Sequence, residues 1–387
     1  VQYVSWHWAR IGSACLGLVM ALAAPAVQAA SLTPKESLGR QIFFDTNLSQ
    51  PKGQACASCH APSAAFTDPS HAATSRGANL LLAGARNAPT AMYAAFIPPF
   101  SRDSLGNAVG GQFLDGRVNS LEQQAQKPFL NPIEMGNPSV EAVVAKLATA
   151  SYAPALKALY GQSLFANPQA AFNAAADAIA AYERSPELSP FSSKYDAWQA
   201  GKAQLTASEA RGLALFNSPA KGNCAACHPS VSNKPGGVRA LFTDHSYDNL
   251  GVPKNPANPV YIQSVSVNPA GLHFVDNGLS ATSGEDSGRG KFKVPTLRNI
   301  ARTGPYMHNG YFTTLQGVVD FYNTRDKRRR CLLPTLPQEA AQALACWPAP
   351  EVVDTVNQTE LGRLGLNAFE VNDIVNFLGT LTDGWTP

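Results

Sequence analysis

The pentapeptide Cys-x-x-Cys-His occurs twice, as Cys56-Ala57-Ser58-Cys59-His60 and as Cys224-Ala225-Ala226-Cys227-His228. Each copy follows a segment of the same design. Leu32-Thr33-Pro34-Lys35-Glu36-Ser37-Leu38-Gly39-Arg40-Gln41-Ile42-Phe43 and Leu205-Thr206-Ala207-Ser208-Glu209-Ala210-Arg211-Gly212-Leu213-Ala214-Leu215-Phe216 align without a gap and share Leu, Thr, Glu, Gly and Phe. Each opens with Thr-x-x-Glu, a capping box in which the Thr hydroxyl accepts a backbone N–H and the Glu reaches back to the cap. Pro34 falls on the first helical position, where its missing N–H costs nothing. A helix followed by the same pentapeptide, made twice, is an internal repeat at domain scale.

Two thiols three residues apart can bond the two vinyl groups of one porphyrin, and the next His then lies under the iron, so each pentapeptide reads as a site for covalent haem c. Zinc is the competing reading, but neither motif has a second thiol pair at finger spacing. The expectation is two haems c, on Cys56, Cys59 and His60 and on Cys224, Cys227 and His228. Of seven Cys, four are used in this way.

Arg10, the apolar run Ala14–Ala24 and the exit Pro25-Ala26-Val27-Gln28-Ala29 read as a secretory signal cut near Ala29. The run is shorter than the ~20 residues a membrane span needs, and no later stretch is long and apolar enough. A periplasmic location follows. Cys15 leaves with the signal, and in an oxidising compartment Cys331 and Cys346 are expected to pair. The formal charge of +3 gives no electrostatic case for nucleic acid. With 45% hydrophobic residues the chain can build a core. Val140–Ala150, Pro168–Tyr182 and Asn367–Leu381 carry helical periodicity, the last opened by the capping box Asn367-x-x-Glu370. Pro219–Gly237 and Pro253–Gly290 read as long loops, of the kind that serve a site.

The second axial position of each iron decides function: a sixth protein ligand favours electron transfer, an open position admits peroxide. The spare candidates are His71, His245, His273, His308, Met92, Met135 and Met307. Spacing alone makes Met307 a fair choice for the second haem.

The chain resembles the bacterial di-haem cytochrome c peroxidase/MauG superfamily over essentially the whole of its length after Ala29. The resemblance rests on both pentapeptides, Arg86-Asn87-Ala88-Pro89-Thr90, Asp115-Gly116-Arg117 with Leu121-Glu122-Gln123-Gln124-Ala125, Asn131-Pro132-Ile133-Glu134-Met135-Gly136, and Val294-Pro295-Thr296-Leu297-Arg298-Asn299 leading to Pro305-Tyr306-Met307-His308-Asn309-Gly310. It implies an all-α fold of two cytochrome c-like domains, each holding one covalent c-type haem: a signal peptide over 1–29, a peroxidatic domain over 30–200 and an electron-transfer domain over 201–387. It also implies a second-haem ligand at a fixed distance beyond Pro-Tyr-x-His-x-Gly, a position that falls on Tyr322 where ordinary members carry Met. A phenolate there favours ferric over ferrous iron and lowers the potential. Met307 loses its claim on the same ground. Glu134 and Gln124 match the peroxide-pocket carboxylate and amide. The His that some members swing onto the first haem is replaced by Asn79, with His71 as the alternative. Asn87, Thr303 and Pro305 match a Ca²⁺ site between the haems. Leu114 stands where many members carry an inter-haem Trp.

The expected function is reduction of hydrogen peroxide with electrons from a small protein donor, a cytochrome c or cupredoxin. The alternatives are MauG-like peroxide-dependent oxidation of residues on a protein substrate, and plain di-haem electron transfer. Lys327–Arg330 is a candidate docking run for an acidic donor.

Overall fold

The computed structural model of the chain describes residues 1–3, 31–232 and 239–387. The expected signal peptide lies outside these. Helices dominate. In the first half they are α1 (Pro34–Phe43), α2 (Cys56–Cys59), α3 (Leu121–Leu130), α4 (Val140–Thr149), α5 (Ala153–Tyr160), α6 (Pro168–Glu183) and α7 (Lys194–Gln199). In the second half they are α8 (Ala207–Phe216), α9 (Ser280–Ser283), α10 (Leu315–Thr324), α11 (Gln338–Ala343) and α12 (Ala368–Gly379). Three two-residue strand pairs pin the loops: β1 (Ser101–Arg102) with β2 (Ala108–Val109), β3 (Tyr247–Asp248) with β4 (Phe292–Lys293), and β5 (Arg329–Arg330) with β6 (Cys346–Trp347), the last parallel. No helix among the described residues is long and apolar enough to cross a membrane.

Both capping boxes form. Thr33 caps Glu36 and Thr206 caps Glu209, with each Glu returning to the cap amide. The Gly shared by the two copies has a packing reason. A Cβ on Gly39 would stand 1.8 Å from the Ala178 carbonyl oxygen, and one on Gly212 would stand 2.0 Å from that of Asp373. Only Gly lets α1 lie so close to α6, and α8 so close to α12. The shared Phe anchors the same crossings: Phe43 meets Tyr182 at 5.4 Å and Phe216 meets Phe377 at 5.2 Å, both edge-on.

Leu32–Pro387 forms one compact unit. Within it, one hydrophobic cluster draws on residues from Leu38 to Leu188, and a second on residues from Tyr195 to Leu381. A smaller cluster gathers Phe312, Phe321 and Trp347 beneath the Cys331–Cys346 disulfide, whose Cα atoms are 5.1 Å apart. Helix α3 carries Pro128 in its interior. Ser120 caps its start and Phe129 fixes its buried face on Phe172.

Candidate functional site

The two pentapeptides differ locally. The first begins α2, and the second closes a 3₁₀ turn at Cys224–Ala226 that follows Asn223 in the left-handed region. Both deliver the same result: Cys56, Cys59, His60, Cys224, Cys227 and His228 all line one cavity of about 490 Å³. Apolar side chains such as Phe43, Met92, Ile179, Phe216, Leu241 and Leu378 supply much of its wall.

The histidines are oriented alike. His60 Nδ1 lies 3.1 Å from the Phe66 carbonyl oxygen and His228 Nδ1 lies 2.7 Å from that of Phe242. With Nδ1–H donating to a carbonyl, Nε2 is the nitrogen left to accept a metal. Burial holds both imidazoles below their ordinary pKa. Burial pushes the Cys56, Cys224 and Cys227 thiols up to about 12 and the Cys59 thiol to about 11. Two thiol pairs, each with an imidazole oriented by a backbone carbonyl, in an apolar wall fit two haems attached through thioethers.

Gln124, Glu134 and Leu114 line this cavity together with His60. Gln124 projects from α3. Glu134 sits on the turn after it, where its amide donates to the Asn131 carbonyl at 3.0 Å and its carbonyl accepts from Ala78 at 2.7 Å. Burial raises the Glu134 carboxyl above the usual range, against the opposing pull of Arg117 and Asn131. Arg117 is held by Asp115 at 2.9 Å and stacks 3.5 Å over the Phe113 ring. Asn79 is exposed and accepts the Leu81 amide at 3.1 Å. His71 is bonded to the Gly304 carbonyl at 2.8 Å and is absent from the wall of the cavity.

Tyr322, on α10, lines the cavity with His228, and Met307 does so as well. Burial, then the thiols of Cys227 and Cys224, push the Tyr322 phenol far above its ordinary pKa. Cys227, Asp248 and Glu360 form a close group at the rim, their ligand atoms within 4.8 Å of one another.

Asn87, Thr303 and Pro305 line the same cavity. The Asn87 Nδ2 donates to the Ala73 carbonyl at 3.2 Å and its amide to the His308 carbonyl at 2.7 Å. The side-chain amide is thus oriented with Nδ2 occupied, which suits Oδ1 to a hard cation.

Three wall residues escaped sequence reasoning. Lys293 is buried and donates to the carbonyls of Gly111 and Phe113, both at 2.7 Å. Glu183, at the end of α6, is 6% exposed, and its Oε2 has no hydrogen-bond partner. Burial raises its carboxyl to about 8. Glu351 lies 3.6 Å from His308, whose side chain is 7% exposed and stacks at 3.8 Å on Phe292. No sequence signal marks a Lys or Glu as buried. Only the long-range packing does.

Comparison with known proteins agrees with this geometry. The family model of di-haem cytochrome c peroxidase matches residues 33–204. The methylamine utilization protein MauG of Paracoccus denitrificans is 40% identical over 385 residues, covering 96% of this chain and 95% of the relative. The cytochrome c551 peroxidase of Nitrosomonas europaea is 30% identical over 373 residues, covering 94% and 86%. The crystal structure of the diheme peroxidase BthA from Burkholderia thailandensis superposes with a TM-score of 0.76 at 33% identity, covering 92% of this chain and 90% of that one. The likeness runs through nearly the whole length, and the chain belongs to the di-haem cytochrome c peroxidase and MauG family of oxidoreductases acting on hydrogen peroxide.

Proposed function

We propose that the protein is a periplasmic peroxidase with two haems c, one in each of two cytochrome c-like domains divided near residue 200, which reduces hydrogen peroxide at the pocket of His60 with electrons from a small protein donor. The balance is H₂O₂ + 2H⁺ + 2e⁻ → 2H₂O. The observation that carries the reading is that Glu134 and Gln124 line one cavity with His60, with the Glu134 carboxyl raised by burial and so suited to proton transfer.

When bound, the haems supply one-electron chemistry and an iron able to take peroxide. The chain's own residues do the rest. The Phe66 carbonyl fixes the His60 ring and the Phe242 carbonyl fixes the His228 ring. A Glu134 carboxylate oxygen would carry a proton between the two peroxide oxygens, the reaction as a whole consuming two protons and two electrons to give two waters. The Gln124 amide hydrogen-bonds the peroxide and orients it. The apolar wall limits bulk water. Tyr322 offers its phenol oxygen at the second pocket, and Asn87, Thr303 and Pro305 hold Ca²⁺ between the pockets.

A second reading, MauG-like oxidation of residues on a protein substrate, is favoured by Tyr322 and by the likeness to MauG over 96% of the chain. Holoprotein matured in a periplasm should exceed its polypeptide mass by two haems after denaturation. Steady-state turnover with H₂O₂ and a reduced small cytochrome or cupredoxin then tests the donor reading. Fast turnover supports it. A protein that reacts with H₂O₂ yet draws no electrons from any such donor supports the second reading.

A further inference from the structure

We infer that the basic surface above Trp347 is the docking site of an acidic redox protein. The inference rests on the reading of this chain as a peroxidase that exchanges electrons with another protein.

Helix α10 carries Tyr322 on the cavity wall and runs directly into Asp326-Lys327-Arg328-Arg329-Arg330. Residues 320–330 hold five cations (Arg325, Lys327, Arg328, Arg329, Arg330) and two carboxylates (Asp320, Asp326), a net 5 − 2 = +3 that equals the formal charge of the entire chain. Both carboxylates are engaged within the fold. Arg328 holds Asp320 through two bonds of 2.9 and 3.0 Å, and the fully buried Arg325 holds Asp326. Lys327, Arg329 and Arg330 are exposed and form no ion pair among the described residues. The positive face is therefore unneutralised.

That face is rigid and has an apolar part. The Cys331–Cys346 disulfide closes the loop. β5, which is Arg329–Arg330, pairs with β6, which is Cys346–Trp347, and the Cys331 amide donates to the Trp347 carbonyl at 3.0 Å. Within the same loop Leu332 is 92% exposed and Leu333 58% exposed. Exposed apolar side chains rimmed by one sign of charge mark a protein contact rather than a merely solvated face. Their small area suits the brief, weak association of redox partners.

Beneath it lies a packed aromatic path to Tyr322 on the cavity wall. The Arg328 guanidinium lies 5.3 Å over the Trp347 ring. The Trp347 indole Nε1–H donates to Thr324 Oγ1 at 3.0 Å. Its ring meets Phe321 edge-on at 5.1 Å, and the Phe321 ring is 6.3 Å from that of Tyr322. Electron transfer weakens steeply with distance, so a partner seated here is served by an indole lying between it and Tyr322. The charge selects a partner whose cofactor edge is ringed by carboxylates.

The test uses full-length holoprotein, an acidic cupredoxin (plastocyanin) and basic mitochondrial cytochrome c. Binding of oxidised plastocyanin is measured by calorimetry, and H₂O₂-dependent oxidation of reduced plastocyanin is followed over a range of salt concentrations. The wild type should bind plastocyanin, with kcat/KM falling as salt rises. The double variant Arg329→Glu with Arg330→Glu should lose roughly tenfold or more in both affinity and kcat/KM and lose the salt dependence, while mitochondrial cytochrome c gains. Trp347→Phe should leave binding intact and slow oxidation of the bound donor. A small-molecule reductant should be oxidised at the wild-type rate by the charge variant. If it is not oxidised even by the wild type, the peroxidase reading fails. If it is oxidised while charge reversal leaves plastocyanin affinity and rates unchanged, the docking site is overturned. Equal loss of binding to anionic lipid vesicles, with none to plastocyanin, would also overturn it in favour of a membrane surface.

Discussion

The Lys293 ammonium donates to the Phe113 carbonyl oxygen at 2.7 Å, and the Lys293 amide donates to the Leu114 carbonyl at 2.9 Å. One residue of β4 thus grips, from the second half of the chain, the turn that leads into Asp115 and Arg117. Burial pushes the ammonium down to about 7, with Asp115 acting the other way. Between that value and the ordinary 10.5, the unfolded chain binds a proton the folded chain releases, so this group makes stability rise with pH across that window. Lys293→Met should flatten the rise and, by leaving two carbonyls without a donor, cost about 1–3 kcal/mol at pH 10. Thermal melts from pH 7 to 10 check this. An unchanged slope in the variant contradicts it.

Glu183 carries the opposite sign. Its carboxyl is raised by burial from 4.5 to about 8. Across that window the folded chain keeps a proton the unfolded chain has lost, so stability falls as pH rises. Glu183→Gln keeps the shape of the neutral acid without the penalty. The variant should match the wild type near pH 4.5 and exceed it by roughly a few kcal/mol at pH 8. Equal denaturation midpoints at pH 8 would argue that Glu183 is ionised and paired in the holoprotein.

Calcium linkage is expected at Asn87, Thr303 and Pro305. Removing Ca²⁺ by chelation should reversibly change the spin state of a haem and lower peroxide turnover, and Asn87→Ala should mimic it. Metal-free protein with unchanged spectra and rates would remove the site.

The proposed ligand role of Tyr322 has a spectroscopic signature. Ferric wild type should lack the near-infrared charge-transfer band of Met-ligated haem, and Tyr322→Met should restore that band and raise the second potential. A wild type that shows the band returns the ligand role to a Met such as Met307.

What was legible in the sequence was local. The paired capping boxes at Thr33 and Thr206, the helices they open, and the Cys-x-x-Cys-His units each depend on residues within a few positions of one another. The aligned Gly39 and Gly212 were visible as a repeat, but their reason, a carbonyl of Ala178 or Asp373 more than a hundred residues away, was not. Nor was the placing of Lys293 on Phe113, the burial of Glu183, or the indole of Trp347 under Arg328, since each is set by contacts between distant segments. Spacing alone favoured Met307. Tyr322 came forward only through the family motif, and both line the cavity. Leu114 lines the cavity without an aromatic ring, but Phe113 beside it lines the cavity under the Arg117 guanidinium.

The most direct test of the account is the reaction of the protein with H₂O₂ in stopped flow, wild type against Glu134→Gln. Wild type should react at once, without prior reduction, because Asn79 stands where the swinging His would be and His71, held by the Gly304 carbonyl, is absent from the wall of the cavity. Glu134→Gln should lose roughly 10²–10⁴-fold in that rate while both haems stay attached and their resting spectra stay unchanged. A variant that reacts at the wild-type rate, or a wild type that reacts only after reduction, would contradict the assignment of Glu134 and of the His60 pocket as the peroxide site.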